Sequence, residues 1–175
     1  VQLPPPRHAV EVSAGGFHTC AILDDGSVSC WGWNNRGQTG ADSFDWGNTG
    51  SDGQAIATDV LSPTSVYLGG HTAVEITAGY KHTCAILDDG SLMCWGYSYY
   101  LGIGASSGYA QISPVPVSLG SGRTAVAITA SSYKHTCAIL DNGALKCWGN
   151  NYNGQLGIGN TTGQDSPIRV DALAD

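Results

Sequence analysis

One seventeen-residue stretch occurs three times in this chain, and it restricts the possible folds more than any other feature. Residues 16–32 read GFHTCAILDDGSVSCWG, residues 80–96 read YKHTCAILDDGSLMCWG, and residues 133–149 read YKHTCAILDNGALKCWG. Each copy alternates apolar residues, turns at Asp-Asp-Gly or Asp-Asn-Gly, and alternates again, which predicts a β-hairpin. A three-residue loop, a type I turn followed by a left-handed glycine, suits that turn. It sets Leu23 opposite Ser27, Ile22 opposite Val28 and Cys20 opposite Cys30. A two-residue loop would slip the register by one and send the cysteines to opposite faces. Turn type and cysteine pairing are therefore one coupled expectation. Directly opposed cross-strand residues have the separation a disulfide needs. The six cysteines fall as Cys20/Cys30, Cys84/Cys94 and Cys137/Cys147, an even count in regular pairs. That favours disulfides and an extracellular or cell-surface location, with reduced core cysteines as the alternative. Ten-residue spacing across a hairpin does not suit zinc.

The elements around each hairpin also repeat. An alternating segment precedes each one: residues 9–14, 73–78 and 125–130. A Trp-Gly and a polar loop follow, NNRGQTG at 34–40 and NYNGQLG at 151–157, while the second copy substitutes tyrosines at Tyr97, Tyr99 and Tyr100. Short proline-led strands come last, at 63–68, 114–119 and 167–172. The period is 64 residues from Cys20 to Cys84 and 53 from Cys84 to Cys137. The excess is an insertion near 42–59, rich in Gly, Ser and Asp. Four short strands at a period of about 50 residues describe a propeller blade. The expected fold is all-β, with three propeller-type blades of four short antiparallel strands forming an open array completed by neighbouring chains. The division reads 1–8 as a proline-rich lead, 9–62, 63–113 and 114–166 as repeats, and 167–175 as a left-over strand.

Seven Lys and Arg and a net charge of −7 make nucleic acid and anionic membranes poor partners. No apolar run approaches a membrane span of roughly 18 residues, so membrane insertion is not expected. The chain opens on Val1, which fits a processed protein or a piece of a larger one.

The motif from Ala-Gly-x-x-His-Thr-Cys through Cys-Trp-Gly-x-Asn-x-x-Gly-Gln-Leu-Gly resembles the regulator of chromosome condensation repeat family, and its cysteine-paired form looks like the family's secreted prokaryotic branch. The resemblance covers nearly the whole chain after residue 8. It implies four-stranded blades, usually seven, closed into a ring. It also brings functions as different as nucleotide exchange on a small GTPase, chromatin binding and β-lactamase inhibition. None of these resides in the repeat consensus, and the acidic balance argues against chromatin.

Three blades are too few for a closed ring, since propellers typically have four to eight. Assigning each proline-led strand to the hairpin after it leaves the first repeat short of a strand and 167–172 to spare. This predicts strand exchange between chain ends, with Pro4, Pro5, Pro6, Val10 and Val12 at one side of a subunit interface and Pro167, Ile168 and Val170 at the other. The expected role is a structural, self-assembling subunit in a fibre or ring. The alternative is a secreted module that binds a protein or glycan through loops bearing Phe44, Trp46, Tyr97, Tyr99 and Tyr100. His18, His82 and His135 are repeat-equivalent and are expected to bond loop backbone within their own blades rather than a metal. Asp24, Asp25, Asp88, Asp89 and Asp141 suit turns better than acid–base catalysis. No catalytic residues, metal or cofactor are expected. Asn160-Thr161-Thr162 fits an N-glycosylation acceptor.

Overall fold

The computed structural model describes residues 6–41, 44–49, 55–104 and 108–170, with 44–49 and 55–57 by backbone alone. Blade 1 is built from β1 (Ala9–Ala14), β2 (His18–Leu23), β3 (Val28–Gly32) and β6 (Val60–Val66), in that order across the sheet. The insertion forms a two-stranded side sheet of β4 (Phe44–Thr49) and β5 (Ala55–Ala57). Blade 2 is β7 (Ala73–Ala78), β8 (His82–Leu87), β9 (Leu92–Tyr97) and β10 (Ala110–Pro116), with a short 3-10 turn at Ser98–Tyr100. Blade 3 is β11 (Ala125–Ala130), β12 (His135–Leu140), β13 (Leu145–Gly149) and β14 (Gln164–Arg169). All pairings within the blades are antiparallel.

The hairpin follows the register that its turn chemistry dictates. The Leu23 amide donates to the Ser27 carbonyl (2.8 Å) and the Gly26 amide to the Leu23 carbonyl (2.8 Å). Gly26, Gly90 and Gly143 hold φ of 76°, 76° and 79°, where a side chain would be strained. Cys20 therefore faces Cys30, Cys84 faces Cys94 and Cys137 faces Cys147, and each pair forms a disulfide with Cα atoms 4.1 Å apart. Side-chain amides hold the Asn-x-x-Gly-Gln loops. Asn34 Oδ1 accepts the Thr39 amide (3.0 Å) and Gln38 Oε1 the Arg36 amide (2.8 Å). Asn151 and Gln155 repeat the pattern on Leu156 and Asn153, at 2.9 Å each.

The last strand of each blade corrects the strand-exchange expectation. β6 pairs with β3, β10 with β9 and β14 with β13, so every proline-led strand completes the hairpin before it. Blade 1 is not short of a strand, and 167–169 is not spare. Blade cuts fall after β6 and β10, not at 62/63 and 113/114. Pro167 and Ile168 lie in β14, where Ile168 pairs with Cys147, and Val170 is buried against Leu156 and Cys147 of its own blade. None of the three is offered to a neighbour as an unpaired strand. Pro4 and Pro5 lie outside the described residues; Pro6 is exposed. Physically, the connection after each Trp-Gly loop is long enough to return antiparallel to its own hairpin. Proline is tolerated there because β6, β10 and β14 are edge strands.

Blades stack face to face, and the cores lie between them. Cys20, Ile22, Val28 and Cys30 on the back of blade 1 pack with Ile76, Ala85, Leu87 and Trp95 on the front of blade 2. Cys84, Ile86, Leu92 and Cys94 pack in the same way with Ile128, Ala138, Leu140 and Trp148 of blade 3. The third cluster, Cys147, Leu156 and Val170 with Cys137, Leu145 and Ile158, belongs to blade 3 alone. It is half of such a core. Equivalent positions show the consequence. Ile76 and Ile128 are 4% and 7% exposed, whereas Val12 in blade 1 is 66% exposed. Ile22 and Ile86 are 3% and 2% exposed, whereas Ile139 in blade 3 is 44% exposed. Val10 is exposed too, but so are its equivalents Val74 and Val126, so its exposure is not particular to the end blade.

Candidate functional site

Each blade reaches the next through one set of polar bonds. His18 Nε2 lies 2.7 Å from Thr83 Oγ1, and His82 Nε2 lies 2.8 Å from Thr136 Oγ1. His18 and His82 therefore bond a hydroxyl of the following blade, not loop backbone within their own, whereas His135 meets the Tyr133 backbone of its own blade. The Thr83 hydroxyl gives its proton to the Gln38 carbonyl (2.7 Å), so the His18 Nε2–H is the donor to Thr83. Burial pushes His18 down to about 4 and His82 to about 3, keeping both neutral. Burial also lowers His135, against a raising contribution from the Tyr133 backbone. Glu11 Oε1 and Ser13 Oγ accept the Ile76 (3.0 Å) and Ala78 (2.9 Å) amides, which lie on the edge of β7. Glu75 and Thr77 do the same for Ile128 (3.2 Å) and Ala130 (2.8 Å). The Gly26 and Gly90 carbonyls accept the Ala73 (2.8 Å) and Ala125 (2.9 Å) amides.

A second constellation lies at the end of the blades where the Trp-Gly loops emerge. Phe17 meets Trp33 edge-on at 5.1 Å and Tyr80 at 5.7 Å. Tyr97 touches Tyr99 (5.1 Å) and Tyr100 (5.2 Å). Three of the chain's seven cations stand over these rings: Lys81 over Trp33 (4.6 Å), Lys134 over Tyr80 (5.1 Å) and Arg36 over Tyr97 (5.0 Å). Burial, with Arg36 and Lys134 nearby, lowers the Lys81 ammonium. Burial raises the Tyr100 phenol to about 12. Beside them is an open cavity of about 370 Å³, lined by Tyr97, Tyr99, Tyr100, Lys134, Asn150, Tyr152 and Asp165 among others. The structure thus gathers Tyr97, Tyr99 and Tyr100 at one site. It adds Lys81, Lys134, Arg36 and Tyr152, which sequence reasoning missed. The signal for Lys134 was present: five steps separate Ala130 from His135, against four from Ala14 to His18 and from Ala78 to His82. The side chains of Phe44 and Trp46 lie outside the described residues.

The aspartates stay at the opposite end, in the hairpin turns. Asp25 Oδ1 accepts the Ser27 hydroxyl (2.6 Å), Arg7 reaches Asp25 (3.0 Å) and Arg123 reaches Asp141 (3.5 Å). In blade 2 His71 takes the arginine's place, 2.8 Å from Asp88 and 4.0 Å from Asp89. These three are the one His–carboxylate group of metal-binding size among the described residues. The arginines at the same place in blades 1 and 3 mark it as an ion pair. The exposed Asn160 turns its Oδ1 onto the Thr162 amide (2.8 Å), within its own acceptor tripeptide.

Three four-stranded blades stacked side by side with their cores between them are an open run of β-propeller. The chain belongs to the regulator of chromosome condensation (RCC1) repeat family: one repeat model matches residues 9–38, 73–100 and 117–155, and a second matches 25–86 and 142–175. It is 25% identical to the ultraviolet-B receptor UVR8 of Arabidopsis thaliana, over 93% of this chain and 46% of the receptor. It is 29% identical to human RCC1 domain-containing protein 1, over 94% of this chain and 37% of that protein. The yeast RCC1 protein Prp20, solved bound to Kap60, superposes with a TM-score of 0.73 at 23% identity, over 95% of this chain and 37% of Prp20. The chain spans less than half the length of these relatives. Three disulfides are the chemistry of an oxidising environment. Among the described residues no helix is long and apolar enough to cross a membrane.

Proposed function

We propose that this chain is a structural, non-catalytic extracellular subunit whose copies assemble head to tail, the back of blade 3 against the front of blade 1 in the next copy. One observation carries this reading: positions buried at both internal blade interfaces are exposed or only half-buried at the two ends, half of the set at each. Blade 3 offers Ile139, the Thr129 hydroxyl, His135 and the Gly143 carbonyl. Blade 1 offers Val12, Thr19, Trp31 and the edge amides of Val12 and Ala14. These are the two halves of the set that joins blade 1 to 2 and blade 2 to 3. Whole faces dock, in place of the strand exchange expected from sequence. Only the carboxylate has no counterpart at the open face, because blade 3 has Ala127 where blades 1 and 2 have Glu11 and Glu75. Such contacts are heterologous, so they close a ring or run on as a fibre.

The test uses Val12→Arg and Ile139→Arg, each blocking one face at a position already exposed. Analytical ultracentrifugation is expected to show each variant monomeric. A mixture of the two forms dimers and nothing larger, because one free face of each kind remains. Dimers of either variant alone, or no dimer in the mixture, contradict the reading.

A second reading is favoured by the aromatic and cationic cluster at 17, 33, 80, 81, 97 and 134: a propeller module that recognises a partner through that end. Aromatic side chains such as Trp33, Tyr80 and Tyr97, and arginines such as Arg36, are enriched at recognition surfaces. This recognition is independent of assembly and should persist in the Ile139→Arg chain.

A further inference from the structure

Two of the places where one blade departs from its siblings meet at the same cavity. In blade 2 the loop from Ser98 to Gly102 is two residues shorter than its counterparts, 34–40 and 151–157; Ser98 takes the Asn position, and Tyr99-Tyr100-Leu101 replaces the Gly-Gln stretch. The match is fixed by Gly40 and Gly102, which press on Trp95 and Trp148 of the following blade in the same way. In blade 3 the extra residue before His135 closes a turn in which Lys134 takes φ 72°, the only non-glycine residue with positive φ among those described. Stacking of the blades requires neither change, since Trp95 and Trp148 are buried equally at interfaces built with different loops. Backbone strain of this kind concentrates at binding sites.

We infer that this cavity binds an anionic carbohydrate, a glycan bearing uronic acid; the inference rests on the recognition reading above. Tyr99 and Tyr152 are exposed and Tyr97 and Tyr100 partly so, giving the rings a pyranose stacks on. Lys134 has no carboxylate within ion-pair distance among the described residues, and Lys81 stands nearby in the same state. In a chain of net charge −7 this is a local excess of positive charge. The cavity also carries Asp165 and Asn150. An acidic peptide would bring carboxylates against Asp165 with few donors to offset them. A uronic acid brings a single carboxylate for Lys134 and hydroxyl donors for Asp165 and Asn150 on the same ring.

The probe is trigalacturonate, titrated calorimetrically into the oxidised chain, with its methyl ester and a hexaglutamate peptide for comparison. Saturable binding at one site per chain is expected, at least tenfold weaker for the ester and weakened by added salt. Tyr99→Ala weakens it at least tenfold. Lys134→Gly does the same while raising the thermal midpoint, because glycine accepts the positive φ. Loss of binding with gain of stability distinguishes ligand contact from structural damage. Absence of trigalacturonate binding, or unchanged binding by Lys134→Gly, overturns the inference. Hexaglutamate binding in its place removes the carbohydrate but leaves a recognition surface, and silence from both probes removes both.

Discussion

Single residues show what the repeat is for. His18 and Thr83 are both conspicuous in the repeated stretch, yet nothing in one chain segment says they bond across blades. Position-for-position repetition hides a contact 65 residues apart, because each residue's equivalent sits in the same segment. Thr83→Val leaves the buried His18 Nε2–H without its acceptor and should cost about 1–3 kcal/mol in urea unfolding. Thr19→Val, made in the Ile139→Arg chain so that no neighbouring copy docks on blade 1, is the control. No histidine stands before it among the described residues, and its cost should be within about 0.5 kcal/mol. The histidines also fix a pH dependence. His18 and His82 have folded values of about 4 and about 3, below the ordinary 6.5. Their contribution is complete above pH 6.5 and is lost as pH falls, because the unfolded chain takes up protons that the folded chain refuses. His71 works in the opposite sense. Its raised value, caused first by the Asp88 bond, gives stability at acid pH that fades as pH rises through it. The buried pair should prevail, so the urea midpoint falls between pH 7 and 4.5, and His82→Gln flattens that fall.

At the scale of elements, the hairpin was fully legible. Turn chemistry, register and cysteine pairing constrain one another within seventeen residues. The fourth strand was misassigned for a physical reason: its proline marks an edge, but an edge strand pairs with equal ease to the hairpin before or after it until the connection is built. The Asn-x-x-Gly-Gln loop was visible as a motif. Its purpose, to hold a glycine against the next blade's tryptophan, needed the neighbour. The disulfides differ by the blade that covers them. Cys84 and Cys94 are sealed by blade 3, while Cys137 keeps partial exposure on the open back face. In the Val12→Arg chain, where no neighbouring copy covers that face, limited dithiothreitol followed by alkylation and mass spectrometry should label Cys137 and Cys147 before Cys84 and Cys94. Each hairpin bridge spans ten positions, and its loss is expected to cost about 2–3 kcal/mol on chain-entropy grounds.

At the scale of the molecule, three blades enclose two complete inter-blade cores and one half core. Sequence pattern reached the blade count and the open array. It also reached the idea that the ends differ, but for the wrong strand. The real difference lies in faces: hydrophobic positions such as Val12 and Ile139 are identical in character to their buried siblings and are exposed only by their place in the stack. The tyrosine loop was singled out in the sequence, whereas the cations gathered around it were not, since a cation's position over a ring is set by folding. Head-to-tail docking of blade 3 onto blade 1 is tested most directly by light scattering of the oxidised chain over a range of concentrations. The expected result is a mass of several chains that grows with concentration, or a fixed multiple if the stack closes. A single-chain mass at every concentration would contradict it.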